Sequence, residues 1–103
     1  MRSYEERRPY ALPDTLAELA GPAGGPVVLP RELGWTGRTH YDLDDPSDAA
    51  VFYERVLVDA VRADDVVRLL NTDRLRWLWP RLFLPSHVRR LWETRFPDLT
   101  TAA

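Results

Sequence analysis

The sequence predicts a mostly α protein: a small helical domain of three to four helices behind an irregular or short-stranded N-terminal arm. Three observations carry that prediction. All five glycines and five of the nine prolines fall within residues 1–37. Both residue types interrupt regular backbone, so the first third is expected to be irregular or extended. The rest of the chain contains no glycine and repeats its apolar residues at helical spacing. Third, Asp45-Pro46-Ser47-Asp48 is a strong helix-start signal. At 103 residues the chain fits one domain. Its expected organisation is an extended or irregular segment, 1–44, and a helical domain, 45–103, forming one structural unit.

In chain order, Asp14 to Ala20 suits a short helix with Asp14 as N-cap. Gly21 to Pro26 then reads as a loop. Val27-Val28-Leu29 is a short apolar run that Pro30 restricts to an edge strand or extended segment. Trp35 to Leu43 suits a second short strand. An alternative for residues 1–44 is an arm that orders only on a partner. From Asp45 a helix is expected to run to about Val61. Asp45 caps it, Pro46 occupies the first turn and Asp48 complements the helix dipole. Ala49, Phe52, Tyr53, Val56, Leu57 and Ala60 form its inner stripe, which Val51 and Val58 widen.

Asp64 or Asp65 is positioned to cap a second helix through Leu70. Asn71 or Thr72 is positioned to cap a third, with Leu75, Leu78 and Trp79 inward and Pro80 ending it. Leu82-Phe83-Leu84 is an apolar connector. Pro85 opens the last helix, whose inner face is Val88, Leu91, Trp92 and Phe96, and Pro97 closes it. Arg89 and Glu93 are spaced to pair on its outer side. Asp98 to Ala103 is expected to be a frayed tail.

Composition narrows the function. The absence of cysteine excludes a disulfide framework, thiolate metal ligands and a cysteine nucleophile. The opening MRSYEERRPY has no signal-peptide pattern, and no apolar run approaches a membrane span of about 18 residues. A cytoplasmic location is therefore expected, with no membrane partner. All 14 basic side chains are arginine. Coding bias explains that, as does the use of planar guanidinium groups on carboxylates or phosphates. The net charge of −2 hides an acidic first part and a basic remainder, divided near residue 65. The two either neutralise each other across one fold or leave a positive face for an acidic partner or nucleic acid.

No set of residues points to catalysis. Asp42, Asp44, Asp45 and Asp48, with His40 beside them, lack calcium-loop spacing, and Asp45 and Asp48 serve the helix start. His40 and His87 are far apart in sequence. Ser3, Ser47 and Ser86 lie in no nucleophile elbow. The loop at Gly21-Pro22-Ala23-Gly24-Gly25 lacks the lysine and helix of a phosphate cradle. No enzyme, cofactor or metal is expected.

The stretch Arg74 to Phe96 is the most informative. Trp79, Phe83, Trp92 and Phe96 read as core. Trp77 is harder to bury, because Leu75 and Trp79 occupy the apolar face. An exposed Trp among arginines has the composition of an interface hot spot, and also suits stacking on nucleic acid. The plainer reading packs Trp77 beneath the N-terminal segment. The candidate partner-binding residues are Arg74, Arg76, Trp77, Arg81, Arg89 and Arg90. A helix-turn-helix over 64–96 is disfavoured by the stiff Pro80–Pro85 connection and by Glu93 beside Arg89 and Arg90.

The run Leu75-Arg76-Trp77-Leu78-Trp79-Pro80-Arg81-Leu82-Phe83-Leu84-Pro85, continued by Val88 to Glu93 and Arg95-Phe96-Pro97, resembles small actinobacterial proteins. So do Thr39 to Leu43, Asp45-Pro46 and Tyr53 to Leu57. Some of those proteins are similar to antitoxin partners of nucleotidyltransferase-like toxins of the AbiEii type. The resemblance covers about residues 36–97. It implies a non-enzymatic interaction protein of a toxin–antitoxin system that binds and neutralises a cognate enzyme. The alternative is a DNA-binding regulator of its own operon.

Overall fold

The computed structural model describes residues 11–33 and 37–101. The expected second strand begins at Trp35 and Thr36, which lie outside them. The chain is mostly helical with a small antiparallel hairpin. The hairpin joins β1 (Pro26–Val28) to β2 (His40–Asp42), with Val27 opposite Tyr41. The pleat turns Tyr41 inward and leaves His40 and Asp42 outside. Gly25 precedes β1 at φ 81°, a conformation glycine adopts without penalty. Its carbonyl accepts the Leu43 amide at 2.8 Å.

The first segment forms one 3-10 turn, Leu16–Glu18, in place of the longer helix expected from Asp14. Thr15 takes the N-cap position, where its amide donates to the Glu18 carboxylate at 3.0 Å. The chain then leaves helical geometry because its next amides are drawn elsewhere. Ala20 N–H donates to Val67 and Gly21 N–H to Leu70, each at 2.8 Å.

Helix α1 (Pro46–Asp59) starts as its signal demands. The Asp45 carboxylate accepts the Ser47 amide at 2.9 Å, and Pro46 occupies the first turn. Its buried stripe is Ala49, Phe52, Tyr53, Val56 and Leu57. The helix stops two residues before the expected Val61, because Ala60 turns extended and buries its methyl while Val61 faces solvent. Val51 is also exposed, so the stripe is narrower than expected.

Helix α2 (Ala63–Leu69) carries no side-chain cap. Asp64 and Asp65 sit inside its first turn, where they complement the dipole, and Asp65 pairs with Arg68 at 2.6 Å. Helix α3 (Thr72–Leu78) is capped by Asn71, whose Oδ1 accepts the Arg74 amide at 3.0 Å. Pro80 ends α3 as expected, and Trp79–Arg81 continue as a 3-10 turn. Helix α4 (Ser86–Arg95) follows Pro85 and buries Val88 and Trp92. Leu91 is exposed rather than on the inner face: it lies on the flank of a stripe centred between Val88 and Trp92. The expected frayed tail is instead a short helix, α5 (Asp98–Thr101), anchored by the buried Leu99.

One core joins all these elements. Trp79, Trp92 and Phe96 pack ring to ring, with centroids 6.3 and 5.4 Å apart. Tyr41 meets the edge of Phe52 at 5.7 Å. Leu16, Leu19, Leu29, Leu33 and Leu43 are buried in the same cluster as the helices. Residues 11–33 and 37–44 are thus packed parts of the domain. The radius of gyration, 13.2 Å, is that of a compact domain of about 100 residues.

Asn71 ties three segments together. Its amide donates to the Tyr53 hydroxyl at 2.9 Å, and its backbone bridges to Ala20. Next to it, the Thr72 hydroxyl donates to the Leu16 carbonyl. Burial raises the Tyr53 pKa, with the Asn71 bond opposing that shift.

Candidate partner-binding surface

Trp77 lies near the end of α3, away from the buried Leu75 and Leu78, and is 46% exposed. Two guanidinium groups flank its ring. Arg81 stacks at 4.2 Å from the centroid and Arg74 lies at 5.6 Å. Both are held by backbone. Arg81 Nη1 donates to the Trp77 carbonyl at 2.6 Å, and Arg74 Nη2 donates to the Leu43 carbonyl at 2.8 Å. Trp77 is thus a half-exposed ring framed by cations, and residues 1–10 of the N-terminal segment lie outside the described residues.

The other candidate residues separate from this cluster. Arg76 is about 100° further round α3 and pairs with Asp98 at 3.6 Å. It lines a groove of about 330 Å3 with Asp14, Thr15, Arg95 and Phe96. Arg95 pairs there with Asp14 at 3.5 Å. Arg89 is engaged inside the fold. It donates to the carbonyls of Trp79 and Leu82 and lies 5.0 Å from the Trp79 ring, besides pairing with Glu93 at 3.6 Å. The Trp79 carbonyl also accepts the Leu82 amide at 3.3 Å within the 3-10 turn, and the Leu82 carbonyl belongs to the connector that follows it. Arg90 points to solvent and has no ion-pair partner among the described residues.

The sequence reading missed Phe83. Expected in the core, it is 88% exposed. The connector from Leu82 to Pro85 is extended, and there side chains alternate. Leu82 points inward, so Phe83 points outward. Pro85 was the available signal, since a proline favours extended backbone at the residue before it.

The acidic cluster at β2 and α1 is structural in its contacts. Asp48 accepts the Asp42 amide at 3.0 Å and pairs with Arg38 at 2.8 Å. Asp42 accepts the Asp44 amide at 2.9 Å, and Asp44 accepts the Gly25 amide at 3.1 Å. Among the described residues no group of three or more His, Asp or Glu is arranged to hold a metal. His40 Nδ1 is 3.0 Å from the Thr39 hydroxyl, and His87 is exposed on α4.

The Asp42 amide and the Arg38 guanidinium hold the Asp48 carboxyl below the usual aspartate range. The hydrogen bond to Asp48 raises the Arg38 pKa in return. A folded pKa below the unfolded one stabilises the protein above pH about 4, and that contribution fades as pH falls through the folded value. Asp48→Asn is expected to lower the melting temperature at about pH 6, by a margin that shrinks as the pH falls. A deficit that persists unchanged at low pH would mean that charge at Asp48 plays no part.

Among the described residues no helix is long and apolar enough to cross a membrane. Compared with known protein families, curated proteins and solved structures, the chain matches none.

Proposed function

We propose that the protein is a cytoplasmic, non-enzymatic interaction module, antitoxin-like, that binds and neutralises a cognate enzyme. The observation carrying this reading is Trp77, a half-exposed indole held between two backbone-anchored arginines. Trp and Arg dominate interface hot spots because they combine large contact area with directional hydrogen bonding. The resemblance suggests a nucleotidyltransferase-like toxin as the enzyme. The protein-partner reading is preferred to DNA binding because Arg89, which would contact phosphate beside Arg90, is occupied by the Trp79 and Leu82 carbonyls.

The test is co-expression with the product of the adjacent gene. The pair is expected to co-purify, and growth arrest by the neighbour alone is expected to be relieved. Trp77→Ala is expected to weaken the complex by about 30-fold, the effect of a loss of about 2 kcal/mol. A pair that neither co-purifies nor changes growth rules the proposal out. DNA binding would instead give a mobility shift with the upstream promoter that weakens steeply with salt.

A further inference from the structure

The hairpin has one closed edge and one open edge. Leu29 N–H donates to the Thr39 carbonyl at 2.7 Å and Leu43 N–H to the Gly25 carbonyl at 2.8 Å. Gly25, Val27 and Leu29 therefore turn their backbone groups toward β2, and the alternate residues of both strands turn theirs away. On β2 the alternate residues are His40 and Asp42, and the chain itself takes up their outer groups. Asp42 N–H donates to Asp48 Oδ2 at 3.0 Å, and the Asp42 carbonyl accepts the Asp45 amide at 3.0 Å. The His40 carbonyl accepts Arg38 Nε at 3.3 Å.

On β1 the alternate residues are Pro26 and Val28. The Pro26 carbonyl, the Val28 N–H and the Val28 carbonyl have no hydrogen-bond partner among the described residues. Val28 is 59% exposed, and it shares the outer face with His40 across from it. An edge that offers unpaired donors and acceptors in sequence is a template for another strand.

The charge beside this edge has one sign. Asp42 lies across from Pro26, and the Asp44 carboxylate accepts the Gly25 amide at 3.1 Å, one residue before β1. Among the described residues neither Asp42 nor Asp44 has a cation within 4.0 Å, whereas Asp48 is paired with Arg38. A second copy of the chain fits this edge poorly. Pairing about a twofold axis forms only two hydrogen bonds, because Pro26 and Pro30 carry no N–H. It also presents Val28 or Pro30, not a cation, at the Pro26 end.

We infer that the outer edge of β1 takes an extended segment of another protein as a third strand. An apolar residue of that segment lies opposite Val28, and Lys or Arg two positions away lies opposite Pro26. The segment forms three hydrogen bonds, two with Val28 and one with the Pro26 carbonyl. Its apolar side chain packs beside Val28 on the outer face. Its cation sits two strand spacings, about 9–10 Å, from the Asp42 backbone, a span that a Lys or Arg side chain covers. This goes beyond the Trp77 reading and stands without it.

Selection of a random displayed peptide library against the immobilised full chain tests the inference. Enriched peptides are expected to carry Val, Ile or an aromatic residue two positions from Lys or Arg. Amide hydrogen exchange of the parent chain is then followed by NMR with an enriched peptide at saturation. The Val28 amide is expected to exchange at least about tenfold more slowly than in the free chain. Val28→Pro removes the outward donor but no bond of the hairpin, and is expected to weaken peptide binding about tenfold in an anisotropy titration. Asp42→Asn keeps an acceptor for the Asp44 amide and is expected to weaken binding about threefold at low salt, with the difference fading in high salt. If Val28→Pro does not fold, Val28 exchange in the parent decides alone. No enrichment, acidic selected peptides, a bound peptide that leaves Val28 exchange unchanged, or parental affinity in a folded Val28→Pro overturns the inference. Val28 exchange that slows with protein concentration in the absence of peptide assigns the edge to a second copy and overturns it as well.

Discussion

Gly21→Ala is expected to destabilise the protein by about 3 kcal/mol, the upper part of the usual range for overpacking. A Cβ at residue 21 would come within 2.6 Å of the Leu69 carbonyl oxygen and the Leu70 amide nitrogen, and would also strike the Leu69 carbonyl carbon. These are backbone atoms at the end of α2, and they have no rotamer through which to yield. The same segment is held there by the Gly21 N–H to Leu70 hydrogen bond. Relief therefore requires lifting the N-terminal segment from the helices. For a domain of this size the loss corresponds to a fall in melting temperature of about 12 °C or more. Gly24→Ala provides the comparison, because its Cβ would meet only the Asp44 carboxylate, a side chain that can rotate away. A Gly21→Ala melt no lower than that of Gly24→Ala would contradict the docking of residues 11–33 on α2.

The second large effect separates the two buried tryptophans. Trp79→Ala and Trp92→Ala are each expected to cost about 3–5 kcal/mol through cavity formation. The phenylalanine replacements diverge. Trp79 Nε1 donates to the Glu93 carboxylate at 2.8 Å, a charge-assisted bond that phenylalanine removes. Such bonds contribute about 1.5–3 kcal/mol. Trp92 Nε1 is buried without a hydrogen-bond partner among the described residues. Phenylalanine there removes an unpaired donor, and that gain of about 1–3 kcal/mol offsets the smaller ring. Trp92→Phe is expected to stay within about 1 kcal/mol of the parent, and Trp79→Phe to fall by about 2 kcal/mol or more. Urea unfolding measures both, and the reverse order would refute this account of the two indoles.

The helical architecture was legible from local signals. Asp45 and Pro46 start α1, Asn71 caps α3, Pro80 ends it, and the apolar spacing marks the stripes of α1 and α4. Each depends on residues within one or two turns of one another. What stayed hidden depends on distant partners. The first helix was overextended because the capture of the Ala20 and Gly21 amides by Val67 and Leu70 has no local signature. The spacing of Arg89 and Glu93 shows their ion pair, but the bonds from Arg89 to the Trp79 and Leu82 carbonyls join separate segments and have no local signature. That Trp77 lies off the buried face of its helix was legible from Leu75 and its apolar neighbours, whereas the sequence leaves open whether another segment covers it. The exposure of Phe83 was not legible, because an aromatic ring in an apolar connector reads as core until the direction of each side chain is known.

The flanks of Trp77 have a further consequence. Both are guanidinium groups, which present no amine for acetyl transfer. Acyl donors therefore leave the charge of that face unchanged. Association there responds to the relative abundance of the two molecules and to ionic strength. The neutraliser proposed above would accordingly act as a stoichiometric titrant, set by how many copies are made.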